Sequence, residues 1–126
     1  GNVILVRQFR YPIGQVTLEV PAGKLDAVGE DPLHCAQREL SEETGYTAER
    51  YEKLTTIATT VGFSNEYIHL YLARDLTVGA QHTDADEFVN VVSMPFSDAL
   101  AMVGSGEIID AKTMISLMMA QEHLSG

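Results

Sequence analysis

Between positions 38 and 43 the chain runs Arg38-Glu39-Leu40-Ser41-Glu42-Glu43, three carboxylates and a guanidinium in six residues. On a helix, at about 100° per residue, Glu39 and Glu43 stand one turn apart on one face and Glu42 lies beside Glu43 toward solvent. Like charges so spaced weaken an isolated helix by about 0.2–0.5 kcal/mol per pair. A hard divalent cation takes oxygen ligands and can hold several carboxylates at once, which reverses that penalty. Arg38 precedes Glu42 by one turn and is placed to orient it. Charge pattern alone favours an ordinary solvated face of salt-bridged glutamates. Outside this run, Arg10 can pair bidentately with a phosphate, although a strand-end arginine is also an ordinary surface charge.

The carboxylates need a helix to carry them, and the flanking punctuation supplies one. Asp31 can cap free amides, Pro32 suits a first turn, and Gly45 suits a left-handed exit. The inward face is then Leu33, Ala36, Leu40 and Thr44, spaced three or four apart. Upstream, Gly1-Asn2 reads as a turn opening an apolar strand through Val3, Ile4, Leu5 and Val6, so an earlier partner strand is expected in the natural protein. Val16, Leu18 and Val20 alternate with Thr17 and Glu19, the period of a half-buried strand that ends at Pro21-Ala22-Gly23. Further strands are predicted over residues 51–60, 66–74 and 87–94, with Ile68, Leu70 and Leu72 on one face and Tyr67, His69 and Tyr71 on the other. Two closing helices, capped by Ser97 and Asp110, cover residues 97–103 and 110–123. This order favours a mixed α/β (α+β) sandwich over a doubly wound sheet, in one domain spanning residues 1–126.

Composition narrows the class of function. In 126 residues, 18 Asp+Glu against 8 Lys+Arg give a formal charge of −10, which repels nucleic-acid backbones but leaves room for a metal-bridged anionic substrate. Apolar residues at 45% suffice for a core. No apolar run approaches the roughly 20 residues of a membrane span. Cys35, the lone cysteine, has no CxxC companion and points to a reducing, cytoplasmic compartment. His34, His69, His82 and His123 lack metal-ligand spacing with one another or with Cys35, which argues against zinc. Ser64 has no His/Asp constellation, and Gly104 and Gly106, read as part of a turn between helices, follow no strand, so neither a nucleophile nor a dinucleotide fingerprint is present. Met114, Met118 and Met119 with Ile115 and Leu117 make a broad apolar helix surface, mainly core, with part available as a dimer contact.

The run from Gly23 through Glu30, Arg38-Glu39-Leu40, Glu42-Glu43 and Gly45-Tyr46 resembles the signature box of the Nudix hydrolase family. It covers about a fifth of the chain and departs from the family pattern once: six residues, one more than usual, separate Gly23 from Glu30. Loops absorb such insertions cheaply, so a bulged turn is expected at Ala27-Val28-Gly29. The resemblance implies a Nudix-type α/β/α sandwich with a mixed sheet. Arg7-Gln8-Phe9-Arg10-Tyr11-Pro12, Leu18-Glu19-Val20-Pro21-Ala22-Gly23, Gly62-Phe63-Ser64-Asn65-Glu66 and Asp86-Glu87-Phe88-Val89 look like the ADP-ribose pyrophosphatase branch, though Val61 stands where that branch usually has proline.

In that branch the Ala22 carbonyl and the glutamates matching Glu39 and Glu43 would hold Mg2+ or Mn2+, with Glu42 assisting and Arg38 orienting it. Arg10 would bind substrate phosphates or nucleoside, and Phe63 belongs to the substrate loop. Hydrolysing a diphosphate needs charge neutralisation and an in-line water, and Glu87, in the acidic loop from His82, is the better base because the helix glutamates serve as ligands. Asp84 and Asp86 read as solvated loop residues. Glu19, set opposite to Leu18, either touches metal or the terminal ribose or lies on the sheet surface. The resemblance thus implies a homodimeric hydrolase acting on a small nucleotide, ADP-ribose first, giving AMP and ribose 5-phosphate. Alternatives are another nucleotide sugar, a dinucleoside polyphosphate or a nucleoside triphosphate, a non-catalytic Nudix module sensing a nucleotide metabolite, or a calcium- or magnesium-binding scaffold.

Overall fold

A strand, β1 (Asn2–Arg10), opens the computed structural model, which describes residues 1–23, 29–79 and 90–125. It turns back through Tyr11–Gly14 into β2 (Gln15–Glu19), where Gly14 adopts φ +65° and donates its N–H to the Arg10 carbonyl at 2.9 Å. β1 also pairs antiparallel with β5 (Val91–Pro95), from Asn2 opposite Pro95 to Val6 opposite Val91. It is therefore the middle strand of the order β2-β1-β5, and the turn expected at Gly1-Asn2 is strand from Asn2 onward.

The other sheet is a long hairpin of β3 (Tyr46–Ala58) and β4 (Tyr67–Val78), paired antiparallel with a register shift between Lys53 and Thr55. Both strands extend beyond the sequence expectation, because residues 46–48 and Arg50 find partners across the ladder, with Arg50 opposite Arg74 and bonded to Asp75 at 2.9 Å. Among the described residues all strand pairing is antiparallel.

Helix α1 (Pro32–Thr44) has the predicted caps: Asp31 accepts from the His34 N–H at 3.4 Å, and Gly45 leaves at φ +76°. Its fully buried residues are Cys35, Leu40 and Thr44, so Cys35 joins the inward face while Leu33 and Ala36 are only partly covered. Helix α2 (Phe96–Ser105) begins earlier than expected and Ser97 does not cap it. Pro95 precedes it, and the Phe96 N–H is satisfied by the Gly1 carbonyl at 3.0 Å, so no hydroxyl cap is called for at that donor. The helix runs on through Gly104 and Ser105 to a left-handed Gly106 at φ +85°. In α3 (Ala111–Ser125) Asp110 accepts from the Thr113 N–H at 3.1 Å, as a cap should.

The core gathers Leu5, Ala99, Ile108 and Leu117, with Val3, Leu18, Val20, Met94 and Met114 packed against it. Alternation in β2 is only half obeyed: Val16 is 54% exposed, whereas Thr17 and Glu19 are buried. No described helix is long and apolar enough to cross a membrane.

Candidate metal and substrate site

The strand-to-loop exit at Val20-Pro21-Ala22-Gly23 lies against the carboxylate helix. The Ala22 N–H donates to Glu43 Oε1 at 3.2 Å. A Cβ placed on Gly23 would overlap the Glu39 carboxylate, so only glycine lets that side chain come so close to the backbone. Ala22, Gly23, Glu39 and Glu43 are thus brought together by β2 and α1. Arg38 ties the same helix to the loop before it: Nη1 donates to Glu39 Oε1 at 2.6 Å and to Glu42 Oε2 at 3.4 Å, while Nη2 and Nε reach Glu30 at 3.2 and 3.3 Å. Glu42 is the most open of the three, its side chain 60% exposed.

Burial pushes the Glu43 carboxyl above its ordinary pKa, with the nearby Glu39 and Glu19 charges adding to the rise and the Ala22 N–H and Lys112 opposing it. A half-buried anion facing another anion is a place where a cation relieves strain. The donors are all oxygen, which suits a hard divalent ion. Among the described residues no three acidic, histidine or cysteine side chains are gathered closely enough to form a metal cage, and Arg38 bonds oxygens of Glu30, Glu39 and Glu42.

Beside this patch lies a second charged cluster, built on a buried carboxylate. Glu19 is 1% exposed. It accepts from Arg10 twice, Nη2 to Oε1 at 2.5 Å and Nε to Oε2 at 2.6 Å, from Lys112 Nζ at 2.7 Å and from the Thr17 hydroxyl at 2.5 Å. Burial by itself would push the Glu19 carboxyl up, but the bonds from Arg10, Lys112 and Thr17 bring it down to about 2. Lys112 is held from the other side by Asp110 at 3.0 Å. A cavity of about 450 Å3, lined by Arg10, Ile13, Thr17, Glu19 and Ile109 among others, opens over the cluster. Another, of about 300 Å3, lies between the β3–β4 hairpin and α3, against Ile57, Ile68, Lys112 and Ile115.

Of the residues singled out from sequence, the structure places Arg38, Glu39, Glu42, Glu43 and Ala22 in one patch and Arg10 with Glu19 in the adjoining cluster. Phe63 stands apart in the turn joining β3 to β4 and is 88% exposed. Glu87, the expected base, lies outside the described residues, as do His82, Asp84, Asp86 and the Ala27-Val28 part of the expected bulge. His34, His69 and His123 sit with different partners, Glu30, Thr56 and Glu52. Sequence reasoning missed Lys112. The signal was the short spacing Asp110-Ala111-Lys112, a cap followed by a cation that reaches back past it.

The geometry finds company among known proteins. A family model described as the NUDIX domain matches residues 1–115. The ADP-ribose pyrophosphatase of Bacillus subtilis (strain 168) is 45% identical over 123 residues, covering 96% of this chain and 66% of that protein. The methanol dehydrogenase activator of Bacillus methanolicus is 42% identical with the same coverage, and a GDP-mannose pyrophosphatase of Yersinia pestis (strain Pestoides F) is 37% identical over 98% of this chain and 66% of its own. The chain therefore spans just under two thirds of the length of these relatives. A crystal structure of an ADP compounds hydrolase shares the fold, with a TM-score of 0.85 over 99% of this chain and 67% of that one, at 23% identity.

Proposed function

The chain belongs to the NUDIX domain family, and from that premise we propose that it is a divalent-metal-dependent hydrolase of nucleoside diphosphate-linked compounds, taking ADP-ribose to AMP and ribose 5-phosphate. The observation that carries this is the meeting of Glu39 and Glu43 with the Ala22-Gly23 backbone beside the Arg10 guanidinium. Mg2+ or Mn2+, held by Glu39, Glu42, Glu43 and the Ala22 carbonyl, would supply charge neutralisation on the diphosphate and a more acidic water. Arg38 holds Glu39 and Glu42 in place. Arg10 offers its outward N–H groups to phosphate oxygens. Glu87 takes the proton from the attacking water as the new P–O bond forms and the bridging P–O bond breaks, the bridging oxygen leaving on the other product.

The test is a panel of diphosphates assayed with Mg2+ and with Mn2+, products resolved by chromatography. Release of AMP and ribose 5-phosphate from ADP-ribose supports the assignment, and no turnover of any diphosphate refutes it. The likeness to a GDP-mannose pyrophosphatase, together with Val61 in the loop before Phe63, favours a second nucleotide sugar as the next substrate to try. The likeness to a methanol dehydrogenase activator supports a regulatory reading, in which metabolite binding without turnover signals to a partner enzyme.

The same proposal includes a cytoplasmic homodimer. Cys35, buried and the lone cysteine of the sequence, suits a reducing compartment. The apolar strand from Val3 to Val6 offers limited side-chain surface for assembly: Leu5 and Val6 are buried, β5 pairs with one edge over Asn2–Val6, and β2 pairs with the other edge only from Val6 onward. Support for a dimer comes from other exposed apolar residues, Tyr11 and Ile13 on the β1–β2 turn and Met118 and Leu124 on α3.

A further inference from the structure

We propose that Glu19 is a positioning residue: it does not meet substrate itself but holds the Arg10 guanidinium in the orientation that receives a phosphate. The inference rests on the hydrolase reading above.

Both Glu19 oxygens are already engaged by Arg10, Lys112 and Thr17, and the residue is 1% exposed, so it has no face to offer a ligand. Arg10 is the opposite case. Two of its N–H donors, on Nε and Nη2, are fixed by Glu19, while its side chain is 45% exposed and lines the cavity of about 450 Å3. A guanidinium has five N–H donors in a rigid plane, so clamping one edge sets the direction of the other.

The two cations on Glu19 divide the work. Lys112, its side chain 14% exposed and shared with Asp110, balances the buried carboxylate from within the fold. Arg10 is left with charge and donors facing outward. The four groups balance, two cations against the Glu19 and Asp110 carboxylates, so what the cluster offers an anion is the exposed Arg10 guanidinium on the cavity side, with Lys112 kept among the buried carboxylates. The register favours this geometry: Arg10 pairs with Gln15, which shares a strand face with Thr17 and Glu19, so the Arg10 stem runs back along that face.

A double-mutant cycle on the purified protein decides it, with steady-state kinetics on ADP-ribose at saturating Mg2+ and thermal midpoints for every variant. Glu19→Gln is expected to raise KM about tenfold or more while kcat stays within about threefold, the size of a lost charge-assisted contact. Arg10→Met is expected to raise KM at least as much, and adding Glu19→Gln to Arg10→Met should raise it no further. If Glu19→Gln alone does not fold, Glu19→Gln with Lys112→Met removes the buried anion and cation together and takes its place in the cycle. Equal KM effects of the Glu19 change with and without Arg10, or no KM effect of Arg10→Met, overturn the positioning role while leaving the hydrolase reading intact. A wild-type protein that turns over no diphosphate overturns that reading, and this proposal with it.

Discussion

Glu43 and Glu19 are both carboxylates taken out of water, yet their acidities are shifted in opposite directions, and each direction carries a consequence for pH. Glu43 is raised by burial, so the folded protein binds its proton more tightly than the unfolded chain does. As pH rises from the ordinary carboxylate range through its higher folded value, that difference costs stability. Glu43→Gln is therefore expected to leave the metal-free fold intact or steadier above that window while lowering turnover at least about 100-fold, since the same change removes a proposed metal ligand. Thermal melts across pH beside activity at saturating Mg2+ check both halves. Glu19 is lowered to about 2, so its contribution is complete above the unfolded value of about 4.5 and disappears as pH falls toward 2. Acid titration of the wild type and Glu19→Gln should show their stabilities converging over that interval. Gly23→Ala should push the Glu39 carboxylate aside and raise the Mg2+ concentration needed for half activity, read from a metal titration. Glu87→Gln is expected to lower kcat roughly 10²- to 10⁴-fold with little change in KM, the cost of losing the proposed base. The spacing of Arg38, Glu39, Glu42 and Glu43 was legible because helical geometry is local. The burial of Glu19 was not, because alternation assigns apolar residues to the inside, and what reverses it here is Lys112, 93 residues away.

Caps and turns explain which element ends could be read. Asp31 and Gly45 bracket α1 with bonds made within a few residues, so sequence placed that helix to within a residue. The start of α2 depends on Gly1, distant in sequence, accepting from the Phe96 N–H, and no local pattern announces it. The two cases predict different mutational costs. Asp31→Ala should destabilise the protein by about 1 kcal/mol, whereas Ser97→Ala, which loses no capping bond, should stay within about 0.5 kcal/mol of wild type in denaturant unfolding. The lengths of β3 and β4 were underestimated for a related reason: residues 46–50 carry no apolar alternation, and their pairing comes from residues 74–78 on the facing strand.

At the scale of the molecule, sedimentation at micromolar concentration tests the proposed dimer, and a 13.8 kDa particle with full activity would rule it out. β2 pairs with β1 only from Val6 onward, so over Val3 to Leu5 the described strands pair with one edge alone, while the side chains of Leu5 and Val6 are buried. The candidate site, too, is a product of distant parts. The Val20 N–H donates to the Thr113 hydroxyl at 3.0 Å and Lys112 reaches Glu19, each bond spanning 93 residues of chain. During synthesis on the ribosome the first hairpin emerges long before the helix that neutralises it. Until residues 110–113 clear the exit tunnel, Glu19 must stay hydrated or bind Arg10 alone, and the β2–α3 seam cannot close. A nascent chain arrested just short of Asp110 should therefore be cut by proteases near residues 15–23, at positions that become resistant once α3 has docked.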